Sequence, residues 1–174
     1  MIWLLIVGVL VVLFGFVVVF GAPYVPSHTS EVRRAFRHLY PVSAHDVIVD
    51  FGAGDGRVLR EARRRGATAV GYELNPLLVG LARLLSASDN KATIVMANFW
   101  QTDLPHSTTL VYMFGVSRDA SRLARKLQRE ANRLERPIVL MTYGPSLGDM
   151  KHTKTYRGHH LYEFTPLQQR EAQV

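Results

Sequence analysis

The spacing of hydrophobic residues changes along this chain. Residues 2–20 are apolar without a break, and a helix of that length, at about 1.5 Å per residue, would be about 28 Å long, close to the hydrocarbon thickness of a bilayer. After residue 45, short apolar runs alternate with segments in which apolar residues recur every three or four positions. We therefore expect a transmembrane helix at residues 1–22, a linker with a short helix at 23–45, and one α/β domain at 46–174.

The alternation in the domain predicts a Rossmann-like, mostly parallel sheet with helices on both faces and a C-terminal antiparallel hairpin. Strands are predicted at 47–51, 68–72, 92–97, 110–114 and 137–142, and the hairpin at 153–164. Two predicted helices carry apolar stripes that we expect to be buried. The first stripe contains Leu77, Leu78, Leu81 and Leu85, and the second contains Ala120, Leu123, Leu127, Ala131 and Leu134.

The turn after the first predicted strand carries the candidate binding chemistry. Gly52, Gly54 and Gly56 have the spacing G-x-G-x-G, with Asp50 ahead of them and Asp55 inside the turn. A dinucleotide-binding loop has the spacing G-x-G-x-x-G and holds a pyrophosphate on backbone amides. A carboxylate inside the turn would repel a phosphate at short range. The two carboxylates suit instead a ligand with an ammonium and a sulfonium, and S-adenosylmethionine has both.

A second acidic position supports nucleoside binding. Glu73 ends the second predicted strand, and an acidic residue roughly twenty positions after a glycine turn binds ribose hydroxyls in nucleotide-binding folds. All of these features fit a nucleoside-binding site: the strand, the turn, the helix and the distal acid. The leading hypothesis is therefore an S-adenosylmethionine-dependent methyltransferase, and the alternative is a glycine-rich turn that binds nothing.

Composition limits the kinds of site and of partner that this chain can have. The chain has 174 residues, no cysteine and a formal net charge of +7, so it has room for one domain and cannot form a disulfide or a zinc site with thiolate ligands. The arginines concentrate on two predicted helices, and without an RNA-binding signature they favour solvated faces beside an anionic membrane over nucleic-acid binding. His159 and His160 are adjacent in a predicted strand and would point to opposite faces, so no metal site is predicted.

The apolar run also predicts an orientation. The first basic residues after it are Arg33, Arg34 and Arg37, so the positive-inside rule puts the domain on the cytoplasmic or mitochondrial matrix side. A cleaved signal peptide is the alternative interpretation. It is disfavoured because Met1 alone precedes the run and Pro23 makes a poor cleavage site.

Taken in order, these motifs resemble a known family. The similarity is to class I methyltransferases of the membrane-anchored protein-lysine type, and it is carried by the apolar leader, the segment 23–26, the glycine turn at 50–57 and the segments 71–76, 99–100 and 114–116. That family includes the mitochondrial enzymes acting on the ATP synthase c-subunit and the adenine nucleotide translocase, with prokaryotic relatives. The resemblance implies S-adenosylmethionine as cofactor and a lysine of a membrane protein as acceptor.

The resemblance implies roles for individual residues as well. Candidate cofactor-binding residues are Pro26, Asp50, Gly52, Gly54, Asp55, Gly56, Glu73, Leu74, Asn98 and Phe99. Apart from the resemblance, residue type makes Tyr24 and Trp100, together with Tyr143, candidate catalytic residues as aromatic walls of an acceptor channel, and Asp103 a candidate proton acceptor. The alternatives are ordinary packing for the aromatic residues and a loop carboxylate for Asp103. Two alternative functions stay open: methylation of a lipid or hydrophobic small molecule, and a catalytically silent membrane module that binds S-adenosylmethionine.

Overall fold

The computed structural model of the protein describes residues 2–8, 27–87, 91–115 and 119–167. The helices are α1 at residues 2–8, α2 at Thr29–His38, α3 at Arg57–Arg63, α4 at Pro76–Leu85 and α5 at Ala120–Leu134. The strands are β1 at Val47–Phe51, β2 at Thr68–Glu73, β3 at Ala92–Met96, β4 at Leu110–Phe114, β5 at Ile138–Tyr143, β6 at Lys154–Tyr156 and β7 at His159–Phe164.

The strands form one sheet in the order β3-β2-β1-β4-β5-β7-β6. Strands β1 to β5 are parallel, and β7 runs antiparallel to both β5 and β6. The prediction of a Rossmann-like α/β fold with a C-terminal hairpin is therefore confirmed. The chain leaves β1 in one direction toward β2 and β3 and returns on the other side at β4, so a crevice forms at the carboxyl ends of β1 and β4, where such folds bind their ligands.

The prediction of a transmembrane helix before the domain was wrong. Within the described ranges, no helix has the length and apolar character needed to cross a bilayer. Helix α2, which precedes the sheet, has ten residues and includes the charged side chains Glu31, Arg33, Arg34 and Arg37. The prediction relied on the length and apolar character of the run alone. Residues 9–20 of that run lie outside the described residues.

Helices cover the two faces of the sheet unequally. Helices α2, α3 and α4 pack on one face, in a core that includes Phe36, Leu59 and Tyr112. Helix α5 covers the other face through Leu123 and Leu127. The fit of α3 and the turn before it to β2 is close, since a Cβ on Gly71 would lie 2.6 Å from the Ala53 side chain of the turn and 2.7 Å from the Leu59 side chain of α3. Glycine at that position lets α3 and the turn before it approach the sheet.

The two predicted apolar stripes have different outcomes. In α5, Leu123, Leu127 and Ala131 are fully buried as predicted, and Ala120 and Leu134 are partly buried. In α4, the prediction was wrong, because Val79 and Ala82 face the core while Leu77, Leu81 and Leu85 are exposed and Leu78 is half-buried. Helix α4 packs on β2 and on β3, which forms one edge of the sheet. A helix at an edge has a neighbour on one side only, so a broad stripe cannot be covered.

Candidate functional site

The glycine turn lies at the carboxyl end of β1 and opens α3. Gly52, Gly54 and Gly56 all have positive φ angles, of 83°, 56° and 80°, a region that residues with a side chain rarely adopt. The N–H groups of Gly52 and Ala53 both donate to the Tyr72 carbonyl of β2, at 2.9 and 3.0 Å. A Cβ added at Gly52 would meet nothing within 4 Å. The turn is therefore fixed on its sheet side, and there is open space beside Gly52.

Asp50 lies at the floor of the crevice, in register with Gly71 of β2 and Tyr112 of β4. Its side chain is buried, and burial raises its pKa to about 8, with smaller contributions from the negative charges of Glu73 and Asp55. No donor among the described residues makes a hydrogen bond to its carboxylate. A buried carboxylate without a counter-charge is expensive, and a cationic ligand would supply the missing partner. The site therefore fits the ammonium group of S-adenosylmethionine.

Glu73 joins the glycine turn to the turn that follows β2. Its Oε2 atom accepts a hydrogen bond from the Gly54 N–H at 2.9 Å, and its Oε1 atom accepts from the Leu74 and Asn75 N–H groups at 2.8 Å each. A carboxylate has about four acceptor positions, so three are used and at least one remains. The carboxylate is fixed in position and can still accept a hydroxyl group.

Asp55 has a different environment from the one we expected. Its carboxylate accepts hydrogen bonds from Nε and Nη2 of Arg57, at 3.0 and 2.8 Å, and from the Arg57 backbone N–H at 3.1 Å. Burial raises the pKa of Asp55, but the hydrogen bonds and charge of Arg57 outweigh it and hold that pKa below its ordinary value. Asp55 is therefore an ionised residue with a fixed arginine partner, and contact with the ligand stays a prediction.

The predicted adenine-side residues form an aromatic group after β3. The Asn98 side-chain oxygen accepts the Trp100 N–H at 3.1 Å. Phe99 stacks on Phe51 at 4.7 Å between ring centroids, and its centroid lies 4.6 Å from that of Trp100. The guanidinium of Arg122 lies 4.2 Å above the Trp100 ring. One face of Trp100 is therefore already covered by a cation.

The candidate catalytic residues do not all meet at Asp50. Trp100 packs with the core on the α5 face of the sheet, whereas Asp50 is on the other face, beside Tyr112. The Asp103 side chain is exposed, and its backbone carbonyl accepts a hydrogen bond from the Tyr72 hydroxyl at 3.0 Å. Tyr24 and Pro26 lie outside the described residues.

Comparison with known proteins decides the family. Residues 50–151 match the family described as the ANTKMT methyltransferase domain. The chain belongs to this methyltransferase family. It is 33% identical over 120 residues to the lysine N-methyltransferase of the ATP synthase c-subunit from Xenopus laevis, an alignment that covers 67% of this chain and 52% of that protein. The chain thus spans about half the length of this curated relative.

Two further relatives share the methyltransferase domain. A protein-lysine N-methyltransferase of Saccharolobus islandicus is 34% identical over 113 residues, which cover 62% of this chain and 69% of that protein. The adenine nucleotide translocase lysine N-methyltransferase of Mus musculus is 60% identical over 63 residues, which cover 36% of this chain and 27% of that protein.

Solved structures agree with the family. An RNA methyltransferase from Salinibacter ruber in complex with S-adenosyl-L-homocysteine has a TM-score of 0.71 and 25% identity, covering 82% of this chain and 95% of that one. The putative methyltransferase yhhF from Escherichia coli, at 21% identity and a TM-score of 0.56 over 82% of this chain and 90% of that chain, shows the shared fold alone. S-adenosylmethionine is therefore the cofactor of this methyltransferase domain.

Sequence reasoning missed one polar cluster in the domain. The Tyr112 hydroxyl lies 3.3 Å from His159 Nε2 and 3.4 Å from Ser27 Oγ, and all three residues are buried. Strand alternation could have placed Tyr112 beside Asp50. Nothing in the sequence brings His159 to Tyr112, because they are joined only through the pairing of β4, β5 and β7.

Proposed function

We propose that the protein transfers a methyl group from S-adenosylmethionine to the side-chain amine of a lysine in a protein of the ATP synthase c-subunit type. Asp50, a buried carboxylate without a partner among the described residues, is the observation that supports binding of a cationic methyl donor. Similarity to the Xenopus and Saccharolobus lysine methyltransferases supports the acceptor.

The proposed binding mode follows the polarity of the crevice. Asp50 binds the ammonium of the methionine portion, and the remaining acceptor position of Glu73 binds the ribose hydroxyls. Gly52 and Gly54 keep the crevice free of side chains above the turn. Asn98 and Phe99 border the adenine. These roles agree with the charge and exposure of each group.

Methyl transfer requires little chemical activation by the protein. S-adenosylmethionine supplies a methyl carbon that its sulfonium has already activated, so the chain has to align the acceptor and exclude water. A lysine amine must reach the site without its proton, and desolvation favours the neutral amine. Phe114 and Tyr143 fit this task, because their rings lie 5.4 Å apart at the carboxyl ends of β4 and β5.

Three other outcomes are tested by the same experiment. A lipid or hydrophobic small molecule as acceptor and a silent binding module are the alternatives that follow from the sequence. Similarity to an RNA methyltransferase adds RNA as an acceptor. Some arginines, however, already form salt bridges within the protein, such as Arg33 with Glu61 and Arg57 with Asp55.

The test is methyl transfer from S-adenosylmethionine that carries a labelled methyl group, with a cell extract as the source of acceptors. We expect label in the protein fraction and methyl-lysine after its hydrolysis. Asp50→Asn should abolish the transfer, while Asp149→Asn, the same change at an exposed carboxylate, should leave it unchanged. Label in RNA or in the organic extract would reject the lysine acceptor. Binding without any transfer would indicate the silent module.

A further inference from the structure

Ser27, the residue before His28 and α2, is held on two sides. Its backbone carbonyl accepts a hydrogen bond from Arg57 Nη1 at 3.1 Å, and its hydroxyl lies 3.4 Å from the Tyr112 hydroxyl. Arg57 is the first residue of α3 after the glycine turn, and Tyr112 is the register neighbour of Asp50. Both contacts therefore come from elements that form the crevice. We call Ser27, Arg57, Tyr112 and His159 the Ser27 clasp.

Tyr112 lies deep between the sheet and α2. Its side chain is 1% exposed, and the Phe36 ring of α2 packs edge-on against it at 6.1 Å. Burial raises the pKa of Tyr112, the Ser27 hydroxyl lowers it, and the charge of Asp50 raises it further. The Tyr112 hydroxyl and the Asp50 carboxylate thus interact electrostatically across two neighbouring strands.

His159 fixes the direction of that hydroxyl. It is fully buried, and its ring stacks on Tyr143 at 4.3 Å. Burial lowers the pKa of His159 to about 4, although the backbone groups of Arg157 and Tyr156 act to raise it. The ring is therefore neutral at neutral pH. As an acceptor, Nε2 receives the hydrogen bond of the Tyr112 hydroxyl, and as a donor it turns that hydroxyl toward Ser27. Either arrangement leaves one orientation for the Tyr112 hydroxyl.

Packing alone does not explain these polar groups. Tyr162 is buried to the same extent on the opposite face, and its hydroxyl accepts the Leu147 N–H at 2.8 Å, a good structural hydrogen bond. The Tyr112 contacts, at 3.3 and 3.4 Å, are long for hydrogen bonds of a hydroxyl group. His159 Nδ1 has no partner of normal geometry among the described residues. A cluster of this kind adds little to folding, which suggests a role at the crevice.

We propose that Tyr112 and His159 are positioning residues for S-adenosylmethionine, acting through Ser27 to hold the crevice wall beside Asp50. Ser27 and Tyr112 keep water away from the Asp50 carboxylate, and a dry carboxylate attracts a cation more strongly than a hydrated one. Arg57 holds the same wall from the glycine turn. The inference rests on the proposed role of Asp50 in binding the cofactor, and it is independent of the methyl acceptor.

The test is calorimetric binding of S-adenosylmethionine to the full chain carrying Tyr112→Phe, His159→Leu or both. We expect each single variant to bind about tenfold more weakly, because the Tyr112 hydroxyl or its His159 partner no longer holds Ser27 at the crevice. The double variant should be no weaker than either single one, because the pair acts as a unit. His159→Gln keeps a polar atom near the position of Nε2 and should restore most of the affinity.

Two matched controls separate positioning from stability. Tyr162→Phe makes the same change on the opposite face, so it should lower the unfolding temperature and leave the affinity unchanged. His160→Leu makes the same change at the neighbouring, half-buried position of β7 and should also leave the affinity unchanged. The proposal is overturned if Tyr112→Phe binds within twofold of wild type, or if the single losses add in the double variant.

Two further outcomes are decisive. If His159→Leu does not fold, Tyr112→Phe alone decides the proposal. If the wild-type protein binds S-adenosylmethionine and methylates no acceptor, the proposed function fails and the positioning role is still measured by binding.

Discussion

Glu130 and Asp50 are both buried carboxylates, with 1% and 3% of their surfaces exposed, and the protein treats them in opposite ways. Glu130 on α5 accepts hydrogen bonds from the Leu104 N–H at 3.1 Å and from Arg133 Nη2 at 2.6 Å, and Lys126 Nζ lies 3.9 Å away. Asp50 has no such partner within the described ranges. The described part of the fold gives partners to the Glu130 carboxylate and none to the Asp50 carboxylate.

The difference separates a structural charge from a binding charge. The Glu130 group ties α5 to the segment after β3, since Lys126 also donates to the Thr102 carbonyl at 2.8 Å. Burial lowers the pKa of Lys126, and the charge of Glu130 opposes that change. Asp50 receives no such compensation from residues that the structure describes, so we expect it to cost stability until a cation arrives. Strongly perturbed carboxyl groups of this kind concentrate at functional sites.

The largest effect on the fold should come from Glu130→Ala. It leaves Lys126 buried without its counter-charge, and breaking a buried pair from one side costs about 3–5 kcal/mol. Urea denaturation measures the free energy of unfolding. Glu163→Ala, at an exposed glutamate of β7, is the control and should change it by less than about 0.5 kcal/mol. A cost for Glu130→Ala as small as that of the control would remove the distinction between the two carboxylates.

Asp50→Asn should produce the opposite pattern. Binding of S-adenosylmethionine should weaken by about 2–5 kcal/mol, because one partner of a buried charge pair is removed, while the unliganded protein becomes more stable. Because its pKa is raised, the Asp50 carboxyl binds a proton more tightly in the folded wild-type protein than in the unfolded chain. The stability that this proton contributes is lost as pH rises from about 4 to about 8. The gain of the variant should therefore be absent near pH 4 and largest at pH 8. Thermal unfolding at both pH values checks the sign.

The sequence predicted the polar residues at strand ends better than the packing of helices. Alternation placed β1 and β2 correctly, so Asp50, the glycine turn and Glu73 could be brought to one edge of the sheet in advance. The stripe of α5 was buried because a broad face of the sheet lies beneath it. The similar stripe of α4 was not, because strand order, which no single segment encodes, put α4 at an edge.

Contacts between distant segments were also invisible in the sequence. Arg57 was one of several arginines assigned to a solvated face, yet it pairs with Asp55 and reaches Ser27. The same limit applies to Tyr112 and His159, which β5 and β7 bring together.

Affinity for S-adenosylmethionine should depend on pH through Asp50. The pKa of its carboxyl group is about 8 in the free protein, so a cationic ligand has to displace a proton at neutral pH. Affinity should rise about tenfold from pH 6 to pH 7, with close to one proton released. Calorimetry in buffers of different ionisation enthalpy counts the proton. Asp50→Asn is the control, and a wild-type affinity independent of pH would mean that the ligand does not contact this carboxyl group.

The smallest effect should come from the exposed leucines of α4. An exposed apolar side chain has no packing partner in the fold, so its removal should cost little stability. Leu77, a member of the predicted stripe, is 52% exposed, so Leu77→Gln should change the free energy of unfolding by less than about 0.5 kcal/mol. Leu127→Ala on α5, where the side chain is fully buried, should cost about 2–5 kcal/mol. If Leu77→Gln were as destabilising as Leu127→Ala, the α4 stripe would be packed in solution and the prediction of a buried stripe would have been right.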